Sequence, residues 1–534
     1  MYKWRFFTIV FLFVFGAFLT FFKGSFFKGP SSQTLRISLI SEPQSMDVAR
    51  CHDLNTEQVL MHMFEGLMRK DGESIPQKAL AEKIEISADQ KTYTFSLKPS
   101  LWSDGTPLTA YDFEYAWKRV LDSRSKFVTR SPHYFYDIKH AKKSLLGELS
   151  VDEVAIRAIS KTKLVVELER LAPYFLEILS LPLFAPIPKH IAEKDPDWRS
   201  KVPLVSNGPF SLKEWKKDNH IILDRNPNYW DKGHVCLEEI QISIIKDPYT
   251  TFLMFEKGEL DWVGSPFVRL SQDISSKILN QTAEDSIIYW FMVNLKKYPF
   301  NHKKIRQALS FAIDREEIVQ AVFHEAGVPR ISVLPPNLGM VTEFPKKGAA
   351  QAQQLFKEAL EELGISEKEF PEITLSYVMD IESHRRIAQA IQNQWRKVLG
   401  LKKVFLQAKE WNVHFNQLLY KKYDIGFLSW NVSVLDPYFI LQVFTSKGNS
   451  RTVNSWESPQ YEQLLDQAAE STSSQERLKY LKQAEEMLYE EMPLIPLCNV
   501  KKRYAKNPRL QGEYLSPFQL VDFKFAYLKE EKSP

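Results

Sequence analysis

Residues 91–122 read KTYTFSLKPSLWSDGTPLTAYDFEYAWKRVLD. Tyr93, Phe95 and Leu97 alternate with Thr92, Thr94, Ser96 and Lys98, the period-2 pattern of a strand with one buried face. Ile84 and Ile86 alternate just upstream, and Ser87-Ala88-Asp89-Gln90 supplies turn-forming residues between the two runs, so a hairpin is predicted. Trp102-Ser103-Asp104-Gly105-Thr106-Pro107 is a second turn cluster. Thr109 then stands three residues before Asp112, close to a capping box with Asp in place of Glu. Phe113, Ala116, Trp117, Val120 and Leu121 follow at helical spacing along one apolar face. Strand, turn and amphipathic helix define an α+β unit, to which Leu164, Val166 and Leu168 add a further strand; its predicted extent is residues 53–181.

Working outward, Leu35-Arg36-Ile37-Ser38-Leu39 alternates as a half-buried strand does. Pro182, Pro186, Pro188, Pro196, Pro203 and Pro209 mark a change of unit. Beyond them Ile221, Leu223, Ile240, Ile242 and Ile244 suggest strands, and Ile305–Val322 and Ile387–Leu399 read as helices packed on a sheet. Ser458-Pro459 opens a helix carrying Leu465 and Ala468, and Ser473-Ser474-Gln475-Glu476 is a capping box for the next. Strands alternating with helices predict α/β lobes with a smaller α+β insertion.

Of 534 residues, 44% are hydrophobic and 25% charged, which supplies a real core and excludes wholesale disorder. The net charge of +4, from 70 Lys+Arg and 66 Asp+Glu, carries no polyanion footprint, so no nucleic-acid partner is expected. Lys3 and Arg5 precede an apolar run from Phe6 to Phe22, the layout of a secretory signal. Residues 1–33 are therefore expected to be a signal peptide, or an N-terminal anchor giving membrane association through residues 6–22; the run alone leaves both open. Cys51, Cys236 and Cys498 are too few for a disulfide framework or a thiolate zinc site, although one pair in an oxidising compartment stays open. No GxSxG, HExxH, Walker or GxGxxG motif occurs, and the eleven histidines are dispersed. No cofactor, no metal and no catalytic residues are expected, and the chain does not read as an enzyme. Trp411 and Trp430, each flanked by polar neighbours, suit an apolar cleft with convergent polar groups.

Several segments, in order, resemble the peptide-binding members of family 5 of the ABC-importer solute-binding proteins, the oligopeptide type. They are Ser41-Glu42-Pro43-Gln44-Ser45-Met46-Asp47, Phe64-Glu65-Gly66-Leu67, the whole of 91–122, Ser206-Asn207-Gly208-Pro209-Phe210, Arg225-Asn226-Pro227-Asn228-Tyr229-Trp230, and Arg306-Gln307-Ala308-Leu309 with Ile313-Asp314-Arg315. The resemblance covers about residues 35–525. It implies a bilobal, periplasmic-binding-protein-like α/β fold of class II with an additional α+β domain. Lobe I would combine 34–52, 182–286 and 495–534, the additional domain 53–181, and lobe III 287–494. It also implies a periplasmic monomer that captures a peptide ligand and delivers it to inner-membrane ABC permease subunits. The alternatives left open are a modified or cell-wall peptide, a metal chelate or haem as ligand, or a surface adhesin on the same fold.

A buried peptide carries N–H and C=O groups that cost free energy if unpaired, and extended protein edges pair with them whatever the ligand's sequence. By the resemblance those edges are Glu42-Pro43-Gln44 on lobe I, with Pro43 offering one donor fewer, and Ser429-Trp430-Asn431 on lobe III. Trp411 and Trp430 match cleft-lining rings, and His384 matches a polar position toward the ligand's C-terminal part. Two departures stand out. Ser433 occupies the position of an aspartate that holds the ligand's ammonium in the family, which leaves Asp436 or Glu42 as substitutes, or a ligand whose N-terminus is absent, modified or solvated. Phe427 replaces a family arginine, making the cleft more apolar. Ile287 and Asn431 occupy both positions of a disulfide found in some relatives, a joint loss expected of a real structural pair.

Overall fold

The computed structural model describes residues 33–530 apart from 52, 126–131, 271–277, 284–286, 339, 341, 380, 431–433 and 446–455. The expected leader lies outside the described residues, as do Asn431 and Ser433.

The 91–122 stretch folds as its pattern dictates. Thr92–Leu97 buries every second residue against the strands Ala81–Ile86 and Lys163–Glu167, and Ile156–Ser160 completes an antiparallel four-stranded sheet. Gln90 closes the hairpin turn with a positive φ of 57°. Thr109 N–H donates to Asp112 Oδ2 at 2.7 Å, the helix Ala110–Leu121 starts there, and its apolar face is buried. Trp117 at the centre of that face donates its indole N–H to Phe184 O at 2.9 Å, so the buried ring leaves no orphan donor.

Two further sheets make the α/β body. In one, Thr34–Leu39 runs parallel to Glu239–Ile244, which pairs antiparallel with His220–Arg225 and through it with Phe210–Lys216. The other has six strands in the order Gly327–Pro329, Leu494–Val500, Ile288–Val293, Ile425–Trp430, Ile373–Val378, Val404–Lys409. Ile288–Val293 is buried on both faces, as an all-apolar central strand must be. The expected lobe I segment 495–534 needs correction here. Leu494–Val500 pairs with Ile288–Val293 inside the six-stranded sheet, because its run of apolar residues is stable only between two neighbours; the crossing to the Trp262–Gly264 and Gln281–Ala283 strands starts with Lys502–Lys506. The single helix expected over 305–322 is two, Lys303–Phe311 and Arg315–Phe323. Asp314 breaks it by accepting from Glu317 N–H at 2.9 Å as an N-cap. All three cysteines are free. Among the described residues no helix is long and apolar enough to cross a membrane.

Among the ion pairs that tie the additional unit to the body, one ends on a fully buried carboxylate. Arg119, on the helix Ala110–Leu121, meets both oxygens of Asp47 at 2.6 and 3.0 Å, and Asp47 is fully buried. Removing one member strands the other charge, so Arg119→Ala is expected to cost about 3–5 kcal/mol in urea unfolding. Lys83→Ala, which removes an exposed, solvent-screened pair with Glu85, is expected to leave the urea midpoint essentially unchanged.

Candidate functional site

Three parallel strands, Ile373–Val378, Val404–Lys409 and Ile425–Trp430, end on the same side of the six-stranded sheet. In open α/β sheets that side is where ligands bind. The chain elements leaving these ends carry several of the residues singled out in the sequence. His384 lies in the first turn of the helix Glu382–Leu399, and Trp411 opens the helix Trp411–Leu419, whose N-cap Glu410 accepts from Asn412 and Val413 N–H at 2.8 and 3.1 Å.

The third strand has an open edge. Ile373–Val378 pairs with it only at Leu375–Ile425 and Ser376–Gly426, whereas Ile288–Val293 accompanies it to Trp430 on the other side. Asn294 N–H donates to Asp424 O at 2.9 Å, which fixes that carbonyl toward Ile288–Val293. By alternation Ile425, Phe427 and Ser429 turn their backbone groups the other way. His414 Nε2–H donates to Phe427 O at 2.8 Å, which accords with that direction. Ser429 N–H and C=O then face the gap, with no strand beside them among the described residues.

Rings surround this edge. Trp430 stacks on Trp290 at 6.2 Å, and Phe427 packs edge-on against His384 at 4.4 Å. Trp411 is 45% exposed and stacks on Phe415 at 5.5 Å, leaving an aromatic face available to a ligand. Burial pushes the His384 imidazole down to about 3, with smaller contributions from Arg269 and His414. Arg269, far away in sequence, therefore lies near enough to act on this imidazole. Past the undescribed 431–433, Leu435 N–H donates to Glu177 Oε1 at 2.6 Å, and Lys70 reaches the same oxygen at 2.9 Å. Tyr174 packs on Tyr438 and Phe439, and Tyr134 stacks on Phe439. The α+β unit thus closes one end of the gap. A cavity of about 390 Å³ lies between it (Gln90, Tyr93, Pro173) and the Leu435–Pro437 and Arg477–Leu481 stretches.

Other singled-out residues sit differently. Glu42-Pro43-Gln44 is not a strand; the Glu42 carboxylate accepts from Asp218 N–H and Gln44 N–H donates to Thr56 Oγ1 at 3.0 Å, so these groups are used by neighbours in sequence and sheet. Asp436 is paired with Arg477 at 2.7 Å and accepts from Tyr438 N–H at 2.9 Å. Its charge is already neutralised, which weakens it as a partner for a ligand ammonium. Sequence reasoning missed Phe415, four residues after Trp411 on the same helical face, although that spacing was visible. It also missed the Lys70–Glu177–Leu435 contact, for which the sequence carries no local signal.

An α/β sheet whose parallel strands end at an open, ring-lined edge, faced by a second α/β unit and its α+β insertion, is the frame of a solute-binding protein. Among the described residues no group of three or more His, Cys, Asp or Glu side chains is placed to hold a metal. The chain belongs to the family described as "Bacterial extracellular solute-binding proteins, family 5 Middle", whose model matches residues 76–452. It is 34% identical to the oligopeptide-binding protein OppA of Bacillus subtilis (strain 168) over 510 residues, covering 93% of each chain. Similar solved structures include the Escherichia coli murein tripeptide binding protein MppA, at a TM-score of 0.77 and 26% identity over 93% of this chain and 99% of that one. The substrate-binding domain of an oligopeptide ABC transporter from Bacillus anthracis str. Ames has a TM-score of 0.76 and 27% identity over 94% and 99%.

His384 gives a test of how dry this strand end is. The unfolded imidazole takes a proton near pH 6.5, the folded one near 3, so between these values the unfolded state binds more protons and stability falls as pH falls. At pH 4.5 the loss attributable to His384 is expected to be about 2–3 kcal/mol relative to pH 7.5. His384→Gln is expected to flatten the pH dependence of urea-unfolding stability by that amount.

Proposed function

We propose that this chain is an extracytoplasmic, non-enzymatic receptor that captures peptides and delivers them to the permease of an ABC importer. The observation that carries this reading is the open edge at Ser429. A backbone donor and acceptor beside buried rings are costly to leave dry and unpaired, and an extended peptide satisfies them by adding a strand. Because main-chain groups do the pairing, the ligand's sequence is left free, while Trp411, Phe415 and Trp430 supply apolar contact and bridging waters adapt to varied side chains. The peptide-binding names of the relatives support the same ligand class.

In this reading lobe I comprises 34–52, 182–286 and the chain after Val500, the additional domain 53–181, and lobe III 287–500 without a break. The protein works on the periplasmic side as a monomer, its leader either cleaved or holding it to the membrane. Of the residues singled out in the sequence, Ser429, Trp430, Trp411 and His384 are assigned to the ligand face; Asn431 and Ser433 lie outside the described residues.

Peptides of three to five residues are expected to raise the thermal midpoint, since ligand bound only by the folded state stabilises it by mass action. Ser429→Pro deletes the edge N–H and is expected to weaken peptide binding about tenfold in calorimetry, or about 1–2 kcal/mol. Ser429→Ala keeps the backbone and is expected to bind like the native protein. Equal affinity of the two variants, or no midpoint shift with any peptide, would sink the proposal.

A further inference from the structure

Three chain segments meet at the end of the six-stranded sheet away from the open edge. Leu295-Lys296-Lys297-Tyr298 leaves the strand Ile288–Val293 there, Lys402-Lys403 leads into Val404–Lys409, and Tyr420-Lys421-Lys422 leads into Ile425–Trp430. Hydrogen bonds hold them side by side. Asn294 Nδ2 donates to Lys421 O at 3.1 Å and to Tyr423 O at 2.8 Å, and Ile373 N–H donates to Lys403 O at 2.9 Å. Asp424 ties the two sides together, accepting from Thr374 N–H at 2.8 Å and pairing with Lys297.

The charge at this end is one-sided. Six lysines stand against two carboxylates, Glu372 and Asp424, and Asp424 is already taken by Lys297. No described carboxylate lies within ion-pairing distance of Lys296, Lys402, Lys403, Lys421 or Lys422, and all of these but the half-buried Lys421 are exposed. The neighbouring turn Glu367–Glu369 brings one lysine and two glutamates, of which Glu369 accepts from Ser366 N–H at 2.9 Å. Two large rings stand among the cations, Tyr420 at 73% exposure and Tyr298 at 48%.

Unpaired lysines attract an anionic partner, and the residue types say which kind. Protein interfaces are enriched in arginine and depleted of lysine. Here every cation is lysine, a mobile point charge that asks for no fixed acceptor geometry. A fluid array of phosphates suits it, clusters of about four to eight cations being the usual footprint of contact with acidic lipid. Tyrosine fits the same surface, its ring entering the headgroup layer while its hydroxyl stays wet.

We propose that this end of the sheet docks on an anionic phospholipid surface, with the five unpaired lysines over the phosphates and Tyr298 and Tyr420 in the headgroup layer. Ser429 lies about 16 Å along the strand from Asp424, at the rise of an extended chain, so the open edge stays free while the body is held. The contact keeps the receptor at the surface that contains its permease, whether the leader is cleaved or retained.

Sedimentation of the full chain with vesicles tests this. One set is phosphatidylcholine alone and the other an equal mixture with phosphatidylglycerol, so attachment through residues 6–22 is common to both. Native protein is expected to bind the mixed vesicles about tenfold more tightly, and to lose that preference as added salt screens the charges. Lys402→Glu, Lys403→Glu, Lys421→Glu and Lys422→Glu together are expected to abolish it. The same change of charge on the insertion, Lys142→Glu, Lys143→Glu, Lys161→Glu and Lys163→Glu together, is expected to leave most of it. Tyr420→Ser, which keeps the charge, is expected to weaken binding to the mixed vesicles about threefold. A cooperative thermal transition shows each variant folded. Equal binding of native protein to both kinds of vesicle, a preference that survives the four sheet-end substitutions, or one lost equally with the four on the insertion overturns the proposal.

Discussion

A β-strand that loses one neighbour halfway along its length must find another partner for its backbone or face water. Ile425–Trp430 is that strand here. Its first two residues sit between Ile373–Val378 and Ile288–Val293, and from Phe427 onward only the second neighbour continues. Elsewhere in the six-stranded sheet the ladders are closed by other strands or run out at the edges. At this point the gap opens instead among Trp430, Trp290, Phe427 and His384, where water is a poor substitute because the surrounding faces are apolar. The edge sits where three parallel strands end.

The way the units meet follows the same economy of polar groups. Glu177 takes both Lys70 and the Leu435 N–H, so one carboxylate of the insertion holds a lysine of its own unit and the chain beyond the open edge together. Around it the contact is aromatic, with Tyr134 and Tyr174 against Tyr438 and Phe439, and Arg170 over the Tyr438 ring. The ion pair of Arg119 with the fully buried Asp47 joins the insertion to the chain just after Thr34–Leu39.

Local physics made much of the fold legible. The alternation at Thr92–Leu97, the Thr109–Asp112 box and the apolar stripe of Ala110–Leu121 are each fixed by neighbours within a few residues, and each appears in the structure where the spacing puts it. Leu494–Val500 was assigned to the wrong unit because a strand's sequence states how much of it is buried, and not which sheet buries it. The helix break at Asp314 was likewise hidden, since apolar spacing continues across it and only the cap geometry interrupts the backbone.

The site divides along the same line. From the sequence came the strand containing Ser429 and Trp430, the exposed ring at Trp411 and the family to which the chain belongs, because these depend on residue type and order. Whether a carboxylate is free depends on what lies near it in space. Glu42 and Asp436 looked equally available in the sequence, yet folding gives one an N–H of Asp218 and the other the guanidinium of Arg477. Electrostatic pairing acts over a few ångströms irrespective of separation along the chain, so only the tertiary structure decides which charges remain for a ligand.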